Sequence, residues 1–218
     1  DMYNADGSRS EMCGNGIRCV GKYVYDYGLT DKTEISVETL AGIKYLKLIL
    51  KDGKVDLVTV DMGEPELQAD KIPVALRLDE VIDQPIQVGN TVYQMTCVSM
   101  GNPHAVVFVD AVDKFPLETV GPLFEHHVMF PNRVNAEFIE VLNRKEVNMR
   151  VWERGTGETL ACGTGACAST VACILNHKTE DEITLHLLGG DLKVAWDREK
   201  NKIYMTGPAR VVFDGEIN

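Results

Sequence analysis

Two cysteines of this chain stand in the same setting. Met12-Cys13-Gly14-Asn15-Gly16 and Ala161-Cys162-Gly163-Thr164-Gly165 repeat one element, Cys-Gly-x-Gly, 149 residues apart, and each copy leads into a segment of helical character. Glycine lacks a Cβ, so backbone N–H groups beside it can turn inward and approach a ligand closely. At a helix N-terminus those donors favour an anion such as a carboxylate. The same partial positive charge lowers the pKa of a cysteine in the first turn and makes its thiolate accessible near neutral pH. One such cysteine is a nucleophile or a base. Two that point at one substrate form a pair in which a thiolate removes a proton while the opposite thiol delivers another, which inverts a carbon. Spacing alone also fits a tight turn closed by a capping glycine, and both readings stand at this point. The other four cysteines, Cys19, Cys97, Cys167 and Cys173, fall inside predicted helices or a strand and read as small buried hydrophobes.

The elements that must hold such a pair are mostly strands. Runs rich in Val, Ile and Thr, separated by Gly, Asp and Asn, predict strands at Ile35 to Thr39, Tyr45 to Leu50, Val55 to Met62, Val92 to Ser99 and Ala105 to Val109. The second half continues with Phe138 to Leu142, Val147 to Trp152, Ile183 to Leu187, Leu192 to Trp196, Ile203 to Met205 and Arg210 to Phe213. Two segments depart from that pattern. After Gly14, Arg18, Lys22 and Asp26 recur every four residues while Ile17, Val20 and Val24 fall on another face, which predicts an amphipathic helix ended by Gly28. Thr164 to Leu175 holds only small or apolar residues apart from its hydroxyls, which predicts a helix enclosed on nearly all sides. A third helix, Pro116 to Glu125, is expected on the surface without a functional role. Two copies of a loop-plus-helix unit in two strand-rich halves imply two similar domains facing each other across a cleft.

With 22 Lys+Arg against 33 Asp+Glu, the formal charge of −11 on 218 residues disfavours a nucleic-acid backbone or an anionic membrane surface as partner. No apolar run approaches the ~20 residues of a membrane span, and Asp1-Met2-Tyr3-Asn4 lacks a signal-peptide layout, so a cytoplasmic protein with reduced thiols is expected. No HExxH or paired CxxC is present, so no metal is expected. Gly16 to Tyr23 resembles a phosphate loop but has Tyr23 where a hydroxyl ligand for magnesium belongs. Gly163 to Ala168 fits a loose dinucleotide pattern without a strand leading into it, so neither implies a nucleotide.

The motifs around the two cysteines resemble one family. Asn4-Ala5-Asp6-Gly7-Ser8 followed by Glu11 to Gly16 is similar to the first active-site signature of the diaminopimelate epimerases, and Glu153 to Gly165 is similar to the second. Gly101-Asn102-Pro103-His104 and Arg133 to Phe138 lie between them in the expected order, and the resemblance extends to Met205-Thr206-Gly207-Pro208-Ala209. It implies an α+β fold of two pseudo-symmetric strand-rich domains, each wrapping a central helix. The first domain would comprise residues 1–57 and 203–218, and the second 58–202. It further implies cofactor-independent interconversion of LL- and meso-diaminopimelate, in the route to lysine and peptidoglycan precursors, by a homodimer.

Carried over residue by residue, the resemblance makes Cys13 and Cys162 the acid/base pair. Asn4, Gly14, Asn15, Asn102, Asn135, Glu153, Arg154, Gly163 and Thr164 become substrate-binding residues, and His104 and Glu153 tune the thiols. Plainer roles exist for several: Asn4, Asn102 and Asn135 could cap turns, His104 could be a satisfied core histidine, and Glu153 with Arg154 an ordinary ion pair. The resemblance also implies a further segment ahead of the first signature, carrying the opening strands of the first domain, so that this domain is expected to be incomplete. Proline-racemase-like enzymes share the paired cysteines but resemble a first motif with histidine where Asn15 stands. A redox-sensing module would need the cysteines and not the other motif residues.

Overall fold

Alternation of apolar and polar side chains along short runs bounded by Gly, Asp and Asn makes this a strand-dominated chain, and a computed structural model describes its residues 2–3, 9–10 and 13–216. The chain divides into one unit of Asp1–Asp61 with Thr206–Asn218 and a second of Met62–Met205.

In the first unit, β1 (Met2–Tyr3) pairs with β2 (Arg9–Ser10), and α1 (Gly14–Asp26) is followed by an antiparallel meander of β3 (Glu34–Thr39), β4 (Gly42–Lys51) and β5 (Lys54–Gly63). Ile17 of α1 is fully buried with Leu46, Leu48 and Val58. A Cβ at Gly21 would stand 3.0 Å from both Leu46 and Leu48, so a side chain there would push the helix off the sheet. The sequence expectation for this helix is corrected in one respect. Its charged row faces inward: Arg18 is buried and donates to the carbonyls of Gly14 and Pro208, and Lys22 pairs with Asp26 at 2.7 Å. Asp26 in turn accepts from the Val55 N–H at 2.8 Å. Val20 and Cys19 lie on the exposed side instead. Backbone carbonyls and an N–H at the sheet supply partners that only the charged side chains can reach. The helix ends where Gly28 takes a φ of +73°, with Leu29 N–H returning to the Val24 carbonyl at 2.9 Å.

The second unit contains β6 (Gln84–Val88), β7 (Thr91–Ser99), β8 (Pro103–Phe108), a 3-10 turn (Val112–Lys114), α2 (Leu117–Glu125), β9 (Asn135–Asn143) and β10 (Glu146–Glu153). It continues with β11 (Gly157–Glu158), α3 (Gly163–Leu175), β12 (Glu182–Leu187) and β13 (Gly190–Asp197), and β14 (Lys202–Pro208) follows. Its strands run in the order β13-β12-β10-β9-β8-β7-β6, with β11 paired to β10. Only β8/β9 and β10/β12 are parallel among these pairings. Parallel neighbours need a crossover, and the two crossovers are the segments that contain α2 and α3.

The two helices serve opposite faces of this sheet. Ala136 and Phe138 of β9 join Leu117, Val120 and Phe124 of α2 in one apolar cluster, while Glu137, between them, meets the first turn of α3. Every residue of α3 from Gly163 to Ile174 is buried except Thr164, as the all-round apolar pattern requires. Helix α2 lies at the surface as expected, with Glu118, Thr119 and Leu123 exposed, and it buries one face through Leu117, Val120, Gly121, Phe124 and Glu125. Two strand expectations also change. Arg210 to Phe213 forms no strand; Val212 and Phe213 are more than four-fifths exposed and have no ladder to join. Gln84–Val88 is an unforeseen strand, lying last in the order, where Pro85 costs no ladder bond.

Candidate active site

Each Cys-Gly-x-Gly element folds into the same local structure. Cys13 caps α1 with φ −125° and ψ 115°, and its Sγ accepts the Gly16 N–H at 3.4 Å. Cys162 caps α3 with φ −121° and ψ 113°, and its Sγ accepts the Gly165 N–H, also at 3.4 Å. The extended cap residue turns its thiol back over the first turn, where free N–H groups gather. Gly14 and Asn15 form that turn in the first unit, and Asn15 Oδ1 accepts from Arg18 at 3.3 Å. Gly163 and Thr164 form it in the second, with the Thr164 hydroxyl 3.5 Å from Cys162 Sγ. Asn4 lies outside the described residues.

The second unit also holds the remaining candidates, on β8, β9, β10 and the segments that flank them. Parallel pairing sets His104 of β8 opposite Asn135 of β9. Asn135 is buried and bridges two segments: its Oδ1 accepts the Arg154 N–H at 2.9 Å and its Nδ2 donates to the Pro103 carbonyl at 2.9 Å. Glu153, at the end of β10, accepts a short hydrogen bond from the Thr159 hydroxyl, whereas the Arg154 guanidinium donates to the Asn132 carbonyl at 3.0 Å. Their side chains thus have separate partners. His104 is fully buried, with Nδ1 2.7 Å from Glu137 Oε1 and Nε2 3.0 Å from Asn102 Oδ1.

The electrostatics of Cys162 differ from those expected of a cysteine at a helix N-terminus. Burial pushes its thiol up, and the neighbouring Glu153 and Glu137 carboxyl groups add to the effect. The Thr164 and Gly165 hydrogen bonds oppose it without prevailing. Desolvation of a residue only 6% exposed, with two carboxyl groups acting on its thiol, outweighs the hydrogen bonds of the helix terminus. Cys97 is raised for the same first reason, and Cys173 is pushed up to about 12 by burial. Cys13 and Cys19 are exposed, the latter against expectation. Iodoacetamide at neutral pH is therefore expected to alkylate Cys13 roughly tenfold or more faster than Cys162, because the thiolate is the reacting form. Peptide mass spectrometry over a time course measures this, and equal rates would show that Cys162 is neither shielded nor held protonated.

Sequence reasoning missed two carboxylates. Glu137 lies two residues after Asn135, hence on the same face of β9, and its charge at an otherwise apolar inward position was the available signal. Glu125 of α2 is buried and accepts from Trp152 Nε1 at 2.8 Å and from the Gly155 N–H at 2.9 Å, which fixes the turn after Glu153. Nothing in the helical pattern marked it.

The sequence model of the diaminopimelate epimerases matches residues 1–68 and 96–212. The chain belongs to the diaminopimelate epimerase family. The diaminopimelate epimerase of Agathobacter rectalis is 61% identical over 225 residues, covering 100% of this chain and 79% of that protein. That of Acetivibrio thermocellus is 58% identical over 217 residues, covering 100% and 78%. Among solved structures, a hydroxyproline epimerase from Agrobacterium vitis superposes with a TM-score of 0.70 at 17% identity, over 94% of this chain and 65% of that one. A phenazine biosynthesis protein of the PhzF family from Enterococcus faecalis gives 0.70 at 11%, over 99% and 76%. At those identities the likeness concerns the fold: the diaminopimelate epimerase family shares its α+β architecture with these neighbours. Among the described residues, no helix is long and apolar enough to cross a membrane.

Proposed function

We propose that this chain interconverts LL- and meso-diaminopimelate without a cofactor, with Cys13 and Cys162 as the two proton-transfer groups. The observation that supports this most is the repeated cap: two cysteines with backbone angles within a few degrees, each thiol over a glycine N–H at one distance. In one direction a thiolate at Cys13 takes the α-proton as Cys162 gives its S–H proton to the opposite face of the same carbon. The reverse direction exchanges the roles, so protons balance in each turnover. The raised Cys162 thiol suits the donor role at the start of the first direction.

An α-proton is too weakly acidic for a free thiolate, so the carbanion-like transition state needs stabilisation. Backbone N–H groups at Gly14, Gly163 and Thr164 would hold the substrate carboxylate, and exclusion of water would strengthen that interaction. Asn4, Asn15, Asn102, Asn135, Glu153 and Arg154 would bind the ammonium and the distal end, and His104 and Glu153 would tune the thiols. The same reading has the enzyme act as a cytoplasmic homodimer on the route to lysine and peptidoglycan precursors.

The direct test follows α-proton exchange by NMR after LL-diaminopimelate is added to the chain in heavy water. The expected result is α-deuterium in the meso product, where the proton newly delivered came from a solvent-exchanged thiol. Meso product formed without deuterium, or no turnover at all, would overturn the reading.

A further inference from the structure

Near Cys162 lies a buried polar chain in which Glu137, unlike His104 and Asn102, has no part in the two-thiol scheme. Glu137 and His104 are both fully buried, with Oε1 and Nδ1 2.7 Å apart, and the opposite ring nitrogen is 3.0 Å from Asn102 Oδ1. Glu137 Oε2 has no hydrogen-bond partner among the described residues. The carboxylate also supports α3: a Cβ at Gly165 would lie 2.6 Å from Oε1, and Gly165 is the residue whose N–H reaches the Cys162 sulfur.

The proton inventory of this chain is constrained by its acceptors. An amide oxygen only accepts, so His104 Nε2 must carry a hydrogen to bond Asn102 Oδ1. Nδ1 then either accepts from a protonated Glu137 or, as part of an imidazolium, donates to an ionised one. In both arrangements one proton lies between Oε1 and Nδ1 and the pair is neutral as a whole. The remaining arrangement, an ionised carboxylate on an imidazole with a bare Nε2, would leave a net charge fully buried and set two lone pairs against each other. Burial acts in the same direction on Glu137, whose carboxyl it raises.

We propose that Glu137 is a positioning residue. Through the proton it shares with His104 it fixes an Nε2–H that holds Asn102 by its oxygen, and this leaves the Asn102 amide N–H groups to donate to an anionic group of the substrate. The last step rests on the proposed epimerase reaction. The first does not.

The test compares the parent chain with Glu137→Ala and Glu137→Gln at one neutral pH. The imidazole nitrogens of His104 are followed by ¹⁵N NMR, assigned with a His104→Gln variant. The parent is expected to show a protonated Nε2. Glu137→Ala is expected to lose that signature and to raise KM for diaminopimelate roughly tenfold, with a smaller change in kcat. The amide introduced by Glu137→Gln can donate an N–H to Nδ1 as the acid does, so this variant is expected to restore both the Nε2 signal and KM to within about threefold of the parent.

A bare Nε2 in the parent, an unchanged KM in folded Glu137→Ala, or a failed rescue by Glu137→Gln would each overturn the proposal. If the alanine variant does not fold, the parent spectrum and the glutamine variant still decide. If no chain turns over diaminopimelate, the epimerase reading fails, while the NMR arm still tests the His104 arrangement.

Discussion

Cys162→Ala is expected to lower kcat for diaminopimelate epimerisation by on the order of 10⁴-fold, Cys13→Ala to do the same, and the double variant to be no slower than either. Inversion needs a group on each side of the reacting carbon, so removal of one leaves the other without a partner, and the two losses do not add. Water cannot readily stand in for Cys162, because a thiol raised by burial is a donor only where solvent is kept out. The fold is expected to survive: trading a buried Sγ for hydrogen leaves a small space at the helix cap and costs about 1 kcal/mol. Cys162→Ser keeps an acceptor for the Gly165 N–H and is expected to be as inactive as the alanine variant, since a hydroxyl does not become an anion near neutral pH. Steady-state kinetics on purified variants with matched thermal melts check this. A Cys162→Ala enzyme with more than roughly a hundredth of the parent kcat would sink the two-thiol scheme.

How much of this is legible in the sequence varies with the kind of signal. The two helices that start at the Cys-Gly-x-Gly elements could be read because glycine, the cap residue and the following apolar run all point to one structure. Strands with clean alternation, such as Glu182–Leu187 and Gly190–Asp197, were equally clear. The orientation of α1 was not. Its charged row looked solvent-facing, and only the presence of the Pro208 carbonyl and the Val55 backbone groups makes Arg18, Lys22 and Asp26 the inner face. Arg210 to Phe213 failed for the converse reason, since β-propensity without a neighbouring strand specifies nothing. At the site, the motif residues were visible through resemblance. Glu137 and Glu125 were not, because a buried carboxylate is defined by what surrounds it, and those partners lie on other elements.

Gly121→Ala is expected to destabilise the protein by about 3 kcal/mol and to lower the melting temperature by roughly 6–12 °C. In an exposed helix interior the same change would gain up to about 1 kcal/mol in helix propensity. Here the added methyl would stand 2.6 Å from Cγ and Cδ2 of Trp152 and 2.8 Å from its Cβ, at the root of the ring, where no rotation of a flexible end relieves the clash. The indole cannot simply tilt, because its Nε1 donates to Glu125 at 2.8 Å. Steric cost therefore exceeds propensity. Displacement of either α2 or Trp152 would leave the buried Glu125 carboxylate short of a donor and loosen the Gly155 turn that follows Glu153. A fall in kcat is thus expected along with the loss of stability.

The effect carries a pH signature. Burial alone would raise the Glu125 carboxyl, but the Trp152 and Gly155 donors outweigh it and hold the group below its ordinary value of 4.5. Its folded value is depressed, so its contribution is present above about 4.5 and is lost as pH falls through the folded value. The melting difference between parent and Gly121→Ala should accordingly narrow under acid conditions. A constant difference would mean that the clash acts on packing alone and leaves the Glu125 bonds intact, while an unchanged melting temperature at neutral pH would show that α2 can move outward without cost.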